Sequence, residues 1–198
     1  WPNNVAGESA YQVEMSQPTK VSGKWCSPWR VAIIGSLADV VESTLITDVS
    51  EPCRLTDVSW IKPGVVSWIY WAYNHGSNDY QIVKKYIDFA ADFHLPYMLI
   101  DAEWDEMANG GNVEDALRYA KEKHVSPLLW YNSSTEWCLY GPLYRLNKPE
   151  VRQKEFAWLE SAGVKGIKVD FFTRDSVSVM NYFIDILGDA GKNHLKVN

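Results

Sequence analysis

After residue 62 the chain alternates between two patterns of apolar and polar residues, one typical of strands and one typical of helices. Short runs of β-branched and aromatic residues, which are typical of buried strands, fall at 65–72, 97–101, 126–132, 166–172 and 194–198. Between these runs the apolar residues recur every three or four positions, which predicts amphipathic helices. Strands that alternate with helices predict a parallel sheet with right-handed crossover connections.

Four helices are predicted between the five strands, from apolar stripes and capping residues. The first helix has Ser77 or Asn78 as its cap, and the second has Asn112. The third begins after Asn147 and ends at Gly163. The predicted apolar stripes are Ile82, Tyr86, Phe89 and Phe93 in the first helix, Val113, Ala116, Leu117 and Ala120 in the second, and Val177, Met180, Ile184 and Leu187 in the fourth.

Residues 1–62 lack this alternation and are interrupted by several prolines, which break regular structure. One strand is predicted over 30–35 and a short helix over 38–44. We interpret residues 1–62 as a linker or lead-in segment, and residues 63–198 as the folded α/β region.

Two architectures contain alternating strands and helices: an open doubly wound sheet and a closed (β/α)8 barrel of the TIM type. No G-x-G-x-x-G or P-loop turn follows any strand, which disfavours a nucleotide-binding doubly wound sheet. Carboxylates and aromatic residues stand at the strand ends instead, which favours the barrel. A complete barrel needs about 200–250 residues, so residues 63–198 are predicted to form only its N-terminal half.

Composition restricts the classes of function. The apolar share of 46% and the charged share of 22% are those of a folded globular protein. A net charge of −6 argues against a nucleic-acid partner. No apolar run reaches the roughly 18 residues of a membrane span. The three cysteines lack metal-like spacing, so neither a disulfide framework nor a zinc site is supported.

The fourth predicted strand carries two charges, Lys168 and Asp170. Because side chains alternate along a strand, both point to one side, opposite Ile167, Val169 and Phe171. Burying two charges without a purpose is costly, whereas barrel enzymes keep their active sites at the C-terminal strand ends. Asp170 is therefore the first candidate for catalysis. The alternatives are a helix cap and a structural ion pair with Lys168.

The other strand ends add carboxylates, an amide and aromatic rings. The candidates are Trp71 after the first strand, Asp101, Glu103 and Trp104 after the second, and Tyr131 and Asn132 after the third. Such a set would suit a polyhydroxylated ligand, because hydroxyls need polar partners and a sugar ring packs on aromatic faces. Each candidate has a structural alternative, loop capping for the two acids and core packing for the rings.

Three segments resemble glycoside hydrolase family 97: 59–64 (SWIKPG), 98–104 (MLIDAEW) and 166–172 (GIKVDFF). The resemblance extends from about Pro28 onward and implies an N-terminal β-sandwich, a central (β/α)8 barrel and a C-terminal β-domain. Residues 1–62 would then be the tail of the sandwich and a linker, and residues 63–198 the N-terminal half of the catalytic barrel. The resemblance also implies calcium as a cofactor, with no metal ligand within this chain. It further implies a periplasmic or otherwise exported bacterial protein, although no signal-peptide pattern opens the sequence.

The position of Asp170 resembles the retaining branch of that family, typified by α-galactosidases. The resemblance implies that Asp170 is a nucleophile which forms a glycosyl–enzyme ester with an α-galactoside. Lys168 would hold a sugar hydroxyl and favour the ionised form of Asp170, and Asp101 and Trp104 would be further sugar contacts. The acid/base glutamate would lie beyond Asn198, so the isolated chain is predicted to be inactive. The alternatives are an α-glucosidase of the same family and a non-catalytic carbohydrate-binding module.

Overall fold

The computed structural model describes residues 22–24, 30–133, 140–172 and 176–198, apart from the side chain of Val177. These residues form two compact units, one that ends at Val58 and one that runs from Ser59 to Asn198. The assignment of residues 1–62 to a β-sandwich tail and linker stays a prediction.

The unit that ends at Val58 contains two short helices, α1 (Leu37–Glu42) and α2 (Leu45–Asp48). Helix α1 begins with a reciprocal capping box between Ser36 and Asp39, and it confirms the helix predicted over 38–44 to within two residues. The strand predicted over 30–35 was wrong. A strand needs hydrogen-bonding partners along its backbone, and none of the described strands pairs with these residues.

The unit from Ser59 to Asn198 alternates strands and helices. Its elements are β1 (Val66–Trp68), α3 (Tyr80–Asp92), β2 (Tyr97–Ile100), α4 (Val113–Glu122), β3 (Ser126–Asn132), α5 (Pro149–Ser161), β4 (Gly166–Asp170), α6 (Val177–Lys192) and β5 (Lys196–Val197). All five strands are parallel and lie in the order β1-β2-β3-β4-β5. This is the strand order of the first part of a (β/α)8 barrel, and it confirms the predicted fold class.

The strand register brings the candidate chemistry to one edge of the sheet. Trp68 at the end of β1 lies opposite Leu99 of β2. Trp130 of β3 lies opposite Lys168 of β4, and Asn132 lies opposite Asp170. Because the strands are parallel, their carboxyl ends meet at the same edge, where barrel enzymes place their active sites.

Two apolar layers cover the two faces of the sheet, as strand alternation requires. The layer between the sheet and the helices includes the strand residues Met98, Ile100, Leu129, Tyr131 and Ile167. The layer on the opposite face, which corresponds to the barrel interior, is formed by Tyr97, Leu99, Ala102, Leu128 and Trp130, with Val66, Trp68 and Phe171 partly buried against them. The first layer fixes the helices to the sheet, and the second supports the strand ends from below.

The apolar stripe was predicted correctly for α4, half correctly for α3 and wrongly for α6. In α4 the four predicted residues are the buried ones. In α3 the predicted Ile82 and Tyr86 are partly buried against the core, but the predicted Phe89 and Phe93 are exposed. The fully buried residues of α3 are Val83, Ile87 and Ala90. In α6 the predicted Met180, Ile184 and Leu187 are exposed, and Ile186 and Ala190 are buried instead. Both helices carry apolar residues on more than one face, so spacing alone does not identify the face that packs against the sheet.

The cap predicted for α4 is confirmed, because Asn112 forms a reciprocal capping box with Asp115. The cap predicted for α3 was wrong: Ser77 and Asn78 lie in a short 3-10 turn, and Asp79 accepts the first free N–H groups of the helix. The cap predicted for α5 at Asn147 was also wrong, because the helix begins with proline directly after Lys148. None of the helices in the described ranges is long and apolar enough to cross a membrane.

Candidate active site at the strand ends

The strand ends and the loop after β3 surround a cavity of about 390 Å³. Its lining consists of Trp68, Tyr70, Trp71, Asp101, Ala102, Trp130, Tyr140, Lys168, Asp170 and Phe171. The lining includes four of the predicted site residues: Asp170, Lys168, Asp101 and Trp71. Six of the ten lining residues are aromatic, so the cavity combines a small charged group with apolar walls, as sugar-binding sites do.

Lys168 lies at the centre of the charged group. Its Nζ is 3.4 Å from Oδ2 of Asp101 and 3.6 Å from Oδ2 of Asp170. The same ammonium lies over the indole ring of Trp68, 4.5 Å from the ring centroid, which is a favourable cation–π distance. The prediction that Lys168 and Asp170 point to the same side of their strand is therefore confirmed.

Asp101 is buried, with only 3% of its surface exposed, and both of its carboxylate oxygens accept hydrogen bonds. Its Oδ2 accepts a hydrogen bond of 2.6 Å from the indole N–H of Trp68 and one of 3.4 Å from Lys168. Its Oδ1 accepts from the backbone N–H of Ala102, and its own N–H donates to Oγ of Ser77. A carboxylate held on both oxygens is suited to fixing the position of Lys168.

Asp170 is placed differently, because 44% of its side chain is exposed at the cavity. Its Oδ1 accepts from the backbone N–H of Phe171 at 2.9 Å, and its Oδ2 faces Lys168. Phe171 has a left-handed backbone with φ of 63°, which is uncommon for a non-glycine residue. The strand alternation therefore ends at Asp170, and Phe171 lines the cavity and packs edge-to-face on Trp130. The prediction that Phe171 points away from Asp170 was wrong.

Two predicted aromatic contacts are corrected because both rings are buried outside the cavity. The indole N–H of Trp104 donates to the backbone oxygen of Trp130 at 2.7 Å. Tyr131 faces the helices, where its hydroxyl donates to Glu155 at 2.7 Å. Burial, together with the negative charge of Glu155, raises the pKa of Tyr131 well above its usual value. Strand alternation explains Tyr131, since its neighbour Trp130 takes the cavity side.

Two predicted polar contacts also lie outside the described lining of the cavity. The carboxylate of Glu103 pairs with the imidazole of His75, with Oε2 2.7 Å from Nδ1. Asn132 lies beside Asp170 in the sheet register, but it is buried and its amide donates to the backbone oxygen of Tyr140 at 3.1 Å. Both residues thus contact the lining residue Tyr140, Asn132 directly and Glu103 through His75.

Tyr70 and Tyr140 were not predicted as site residues. They belong to the aromatic wall of the cavity, whose members are Trp68, Tyr70, Trp71, Trp130, Tyr140 and Phe171. Tyr70 stands in the apolar run at 65–72, so its place after a strand end was a usable signal. Tyr140 comes from the irregular loop after β3, where no periodicity identifies the residue that turns inward.

The resemblance implies calcium, which binds oxygen ligands such as carboxylates. In the ranges that the structure describes, no group of three or more His, Cys, Asp and Glu side chains is arranged to hold a metal ion. Side chains of these four types therefore supply no calcium site in those ranges. Calcium dependence and export to the periplasm stay predictions.

A half-barrel that gathers carboxylates, a lysine and aromatic rings at its strand ends is typical of barrel enzymes that act on carbohydrates. The family model of glycoside hydrolase 97 matches residues 60–198. The chain therefore belongs to glycoside hydrolase family 97.

Two curated relatives carry the same name for their activity. The chain is 29% identical over 206 residues to a probable retaining α-galactosidase of Streptomyces bingchenggensis, an alignment that covers 98% of this chain and 31% of the relative. It is 29% identical over 173 residues to a retaining α-galactosidase of Bacteroides thetaiotaomicron, covering 78% of this chain and 24% of the relative. The chain thus spans less than a third of the length of both.

A solved structure supports the fold. The crystal structure of a β-arabinopyranosidase superimposes with a TM-score of 0.74 at 36% sequence identity. The match covers 80% of this chain and 26% of that one.

Proposed function

We propose that the full-length protein which carries this chain is a retaining exo-α-galactosidase and that Asp170 is its nucleophile. The observation that carries the proposal is the unequal placement of the two carboxylates beside Lys168. Asp101 is buried and its oxygens are occupied, whereas Asp170 has the larger exposed fraction and opens to the cavity. Both curated relatives are named retaining α-galactosidases, which supports the choice of reaction.

In the proposed reaction, an oxygen of Asp170 attacks the anomeric carbon of the sugar. The carbon–oxygen bond to the leaving group breaks as the glycosyl–enzyme ester forms, and water then hydrolyses the ester. The ammonium of Lys168 lies 3.6 Å from Oδ2 of Asp170, so charge attraction holds the attacking carboxylate in position. The aromatic wall provides an apolar surface for the ring face of the sugar.

The proton donor is proposed to come from a part of the protein outside this chain. Retaining glycosidases hold their two carboxyl groups about 5–5.5 Å apart. Asp101 is the other carboxylate in the lining, but it accepts from Trp68 and from the backbone of Ala102, and it pairs with Lys168. A carboxylate in that state is a poor general acid, so the isolated chain is expected to be inactive.

A β-arabinopyranosidase is the second candidate, because the solved relative with that activity is 36% identical. A β-L-arabinopyranoside has the ring stereochemistry of an α-D-galactopyranoside and lacks only the C6 hydroxymethyl group. The same nucleophile and lysine would serve both substrates. The side chains around C6 would decide between them, and the relative rates on the two substrates report that choice.

The test uses the full-length protein with aryl α-galactoside, α-glucoside and β-L-arabinopyranoside. We expect the α-galactoside to be the preferred substrate and Asp170→Asn to lower kcat by at least about 10³-fold, since no second group replaces the nucleophile. Asp92→Asn, an exposed aspartate at the end of α3, is the matched control and is expected to keep full activity. Preference for the glucoside would support the α-glucosidase, and full activity of Asp170→Asn would exclude the nucleophile. Sugar binding without any turnover would support a carbohydrate-binding module.

A further inference from the structure

A histidine–carboxylate pair stands directly behind the aromatic wall of the cavity. Nδ1 of His75 lies 2.7 Å from Oε2 of Glu103, and the amide of Asn78 contacts the same oxygen at 3.4 Å. The two paired side chains are only partly exposed. They come from different strand-end loops, His75 from the loop after β1 and Glu103 from the loop after β2.

The histidine ring contacts two residues of the cavity wall. Its centroid lies 5.0 Å from the ring of Tyr140 and 6.3 Å from the ring of Tyr70, the latter in an edge-to-face arrangement. Tyr70 in turn stacks with Trp68. A displacement of His75 would therefore remove the support behind two rings that line the cavity.

Glu103 also reaches the loop after β3 through its backbone. Its N–H donates to the carbonyl oxygen of Gly141 at 2.9 Å, next to Tyr140. On the other flank, the amide of Asn132 donates to the carbonyl oxygen of Tyr140. The side-chain pair and this backbone bond together join three successive strand-end loops around the wall.

Both members of the pair have left-handed backbones, with φ of 58° at His75 and 70° at Glu103. This conformation costs of order 1–3 kcal/mol for a non-glycine residue, and it persists only where the surroundings impose it. Glycine would relieve the strain at either position but would supply no side chain. The backbone at both positions is therefore held by the contacts of the surrounding loops.

We propose that His75 and Glu103 are positioning residues. They fix the positions of Tyr70 and Tyr140 in the aromatic wall and thereby strengthen the binding of the sugar. The inference rests on the proposed glycosidase function. It assigns no chemistry to the pair, because neither side chain belongs to the cavity lining. It also replaces the predicted sugar contact of Glu103 with an indirect role.

A wall that contacts the sugar equally in the ground state and the transition state changes KM and leaves kcat alone. In the full-length protein, Glu103→Ala and His75→Ala are therefore each expected to raise KM about fivefold or more, with kcat within about twofold. The double variant should be no worse than the single ones, because the two side chains act as one unit. Glu103→Gln, whose amide oxygen still accepts from the imidazole, should recover most of the binding.

The chain provides a matched control in His194 and Glu160. Their Nδ1–Oε1 distance is also 2.7 Å, but the pair is exposed. His194 precedes β5 and Glu160 lies in the last turn of α5, so both are near the amino-terminal ends of the strands, away from the cavity. His194→Ala and Glu160→Ala are expected to leave KM unchanged. An equal rise of KM in these controls, or an unchanged KM in the His75 and Glu103 variants, would overturn the proposal. So would a loss of kcat at constant KM, since that is the pattern of a merely destabilised protein.

If the alanine variants fail to fold, Glu103→Asp takes their place. It keeps the charge but withdraws it from His75 by one methylene, and it must raise KM in the same way. KM is measured on whichever aryl glycoside of the panel the wild type hydrolyses. A different preferred substrate or an active Asp170→Asn variant would contradict the galactosidase assignment. The positioning role of His75 and Glu103 is judged separately, from KM.

Discussion

Replacing Lys168 with methionine tests the charged group at the bottom of the cavity. Methionine has a similar length and fills the same space, but it removes the ammonium that lies 3.4 Å from Asp101 and 3.6 Å from Asp170. At an effective dielectric constant of about 20, each contact corresponds to about 5 kcal/mol of Coulomb attraction before desolvation is subtracted.

The net effects are smaller, and they differ for the two carboxylates. Breaking a buried ion pair costs about 3–5 kcal/mol, but Asp101 keeps its bonds from Trp68 and Ala102. We therefore expect Lys168→Met to lower the free energy of unfolding by about 2 kcal/mol. Asp170 is partly solvated, so the loss of a charged contact there is worth about 2–3 kcal/mol in the transition state. This corresponds to a fall in kcat/KM of about 100-fold.

The assay compares kcat/KM and the urea midpoint of the full-length protein with those of Lys196→Met. Lys196 is a strand lysine of the same kind, since its ammonium lies over the ring of Tyr97 and donates to the carbonyl oxygen of Lys62 at 3.0 Å. It lies at the opposite edge of the sheet, on β5, so kcat/KM should stay within about twofold. A fall of less than about threefold for Lys168→Met, or an equal fall for Lys196→Met, would contradict a specific role of the Lys168 ammonium at the cavity.

Two further predictions concern stability and its dependence on pH, each measured by urea unfolding of the full-length protein against the exposed Asp185→Asn control. Burial alone would raise the pKa of Asp189, but hydrogen bonds from Lys192 and Arg152 outweigh it and lower the pKa. Asp189→Asn should therefore lower the free energy of unfolding by about 3 kcal/mol near neutral pH. This loss should vanish as pH falls through the lowered folded-state pKa. Partial desolvation raises the pKa of Asp105, so its ionised form destabilises the fold. Asp105→Asn should therefore increase stability above that folded-state pKa, and the gain should fade as pH falls through it and be gone below the ordinary value of about 3.9. A gain that grows toward acid pH, or a pH-independent loss for Asp189→Asn, would contradict these assignments.

The strand-end residues could be predicted from sequence because the relevant rule is simple. Side chains alternate along a strand, and parallel strands end at one edge, so Lys168, Asp170 and Asp101 were bound to converge once the strands were recognised. The same rule failed one residue later. Phe171 adopts a left-handed backbone, and alternation has no meaning beyond the last residue of a strand.

Other features depend on contacts between distant parts of the chain. His75 and Glu103 are 28 positions apart in two irregular loops, and no period relates them. The packing face of α6 was wrong and that of α3 was half correct, because each helix has more than one apolar face and only the position of the sheet selects between them. Trp104 was expected at the cavity from its place after β2, but a 3-10 turn directs its indole toward the backbone of β3.

The central claim is that Asp170 forms a covalent bond to the sugar. A fluorinated α-galactosyl fluoride that forms the ester quickly and releases it slowly would trap this intermediate on the full-length protein. Proteolysis and mass spectrometry then locate the label. We expect one sugar per protein on the peptide that contains Asp170, and no label in Asp170→Asn. A label on a different carboxylate, or an inactivated protein with no covalent sugar, would contradict it.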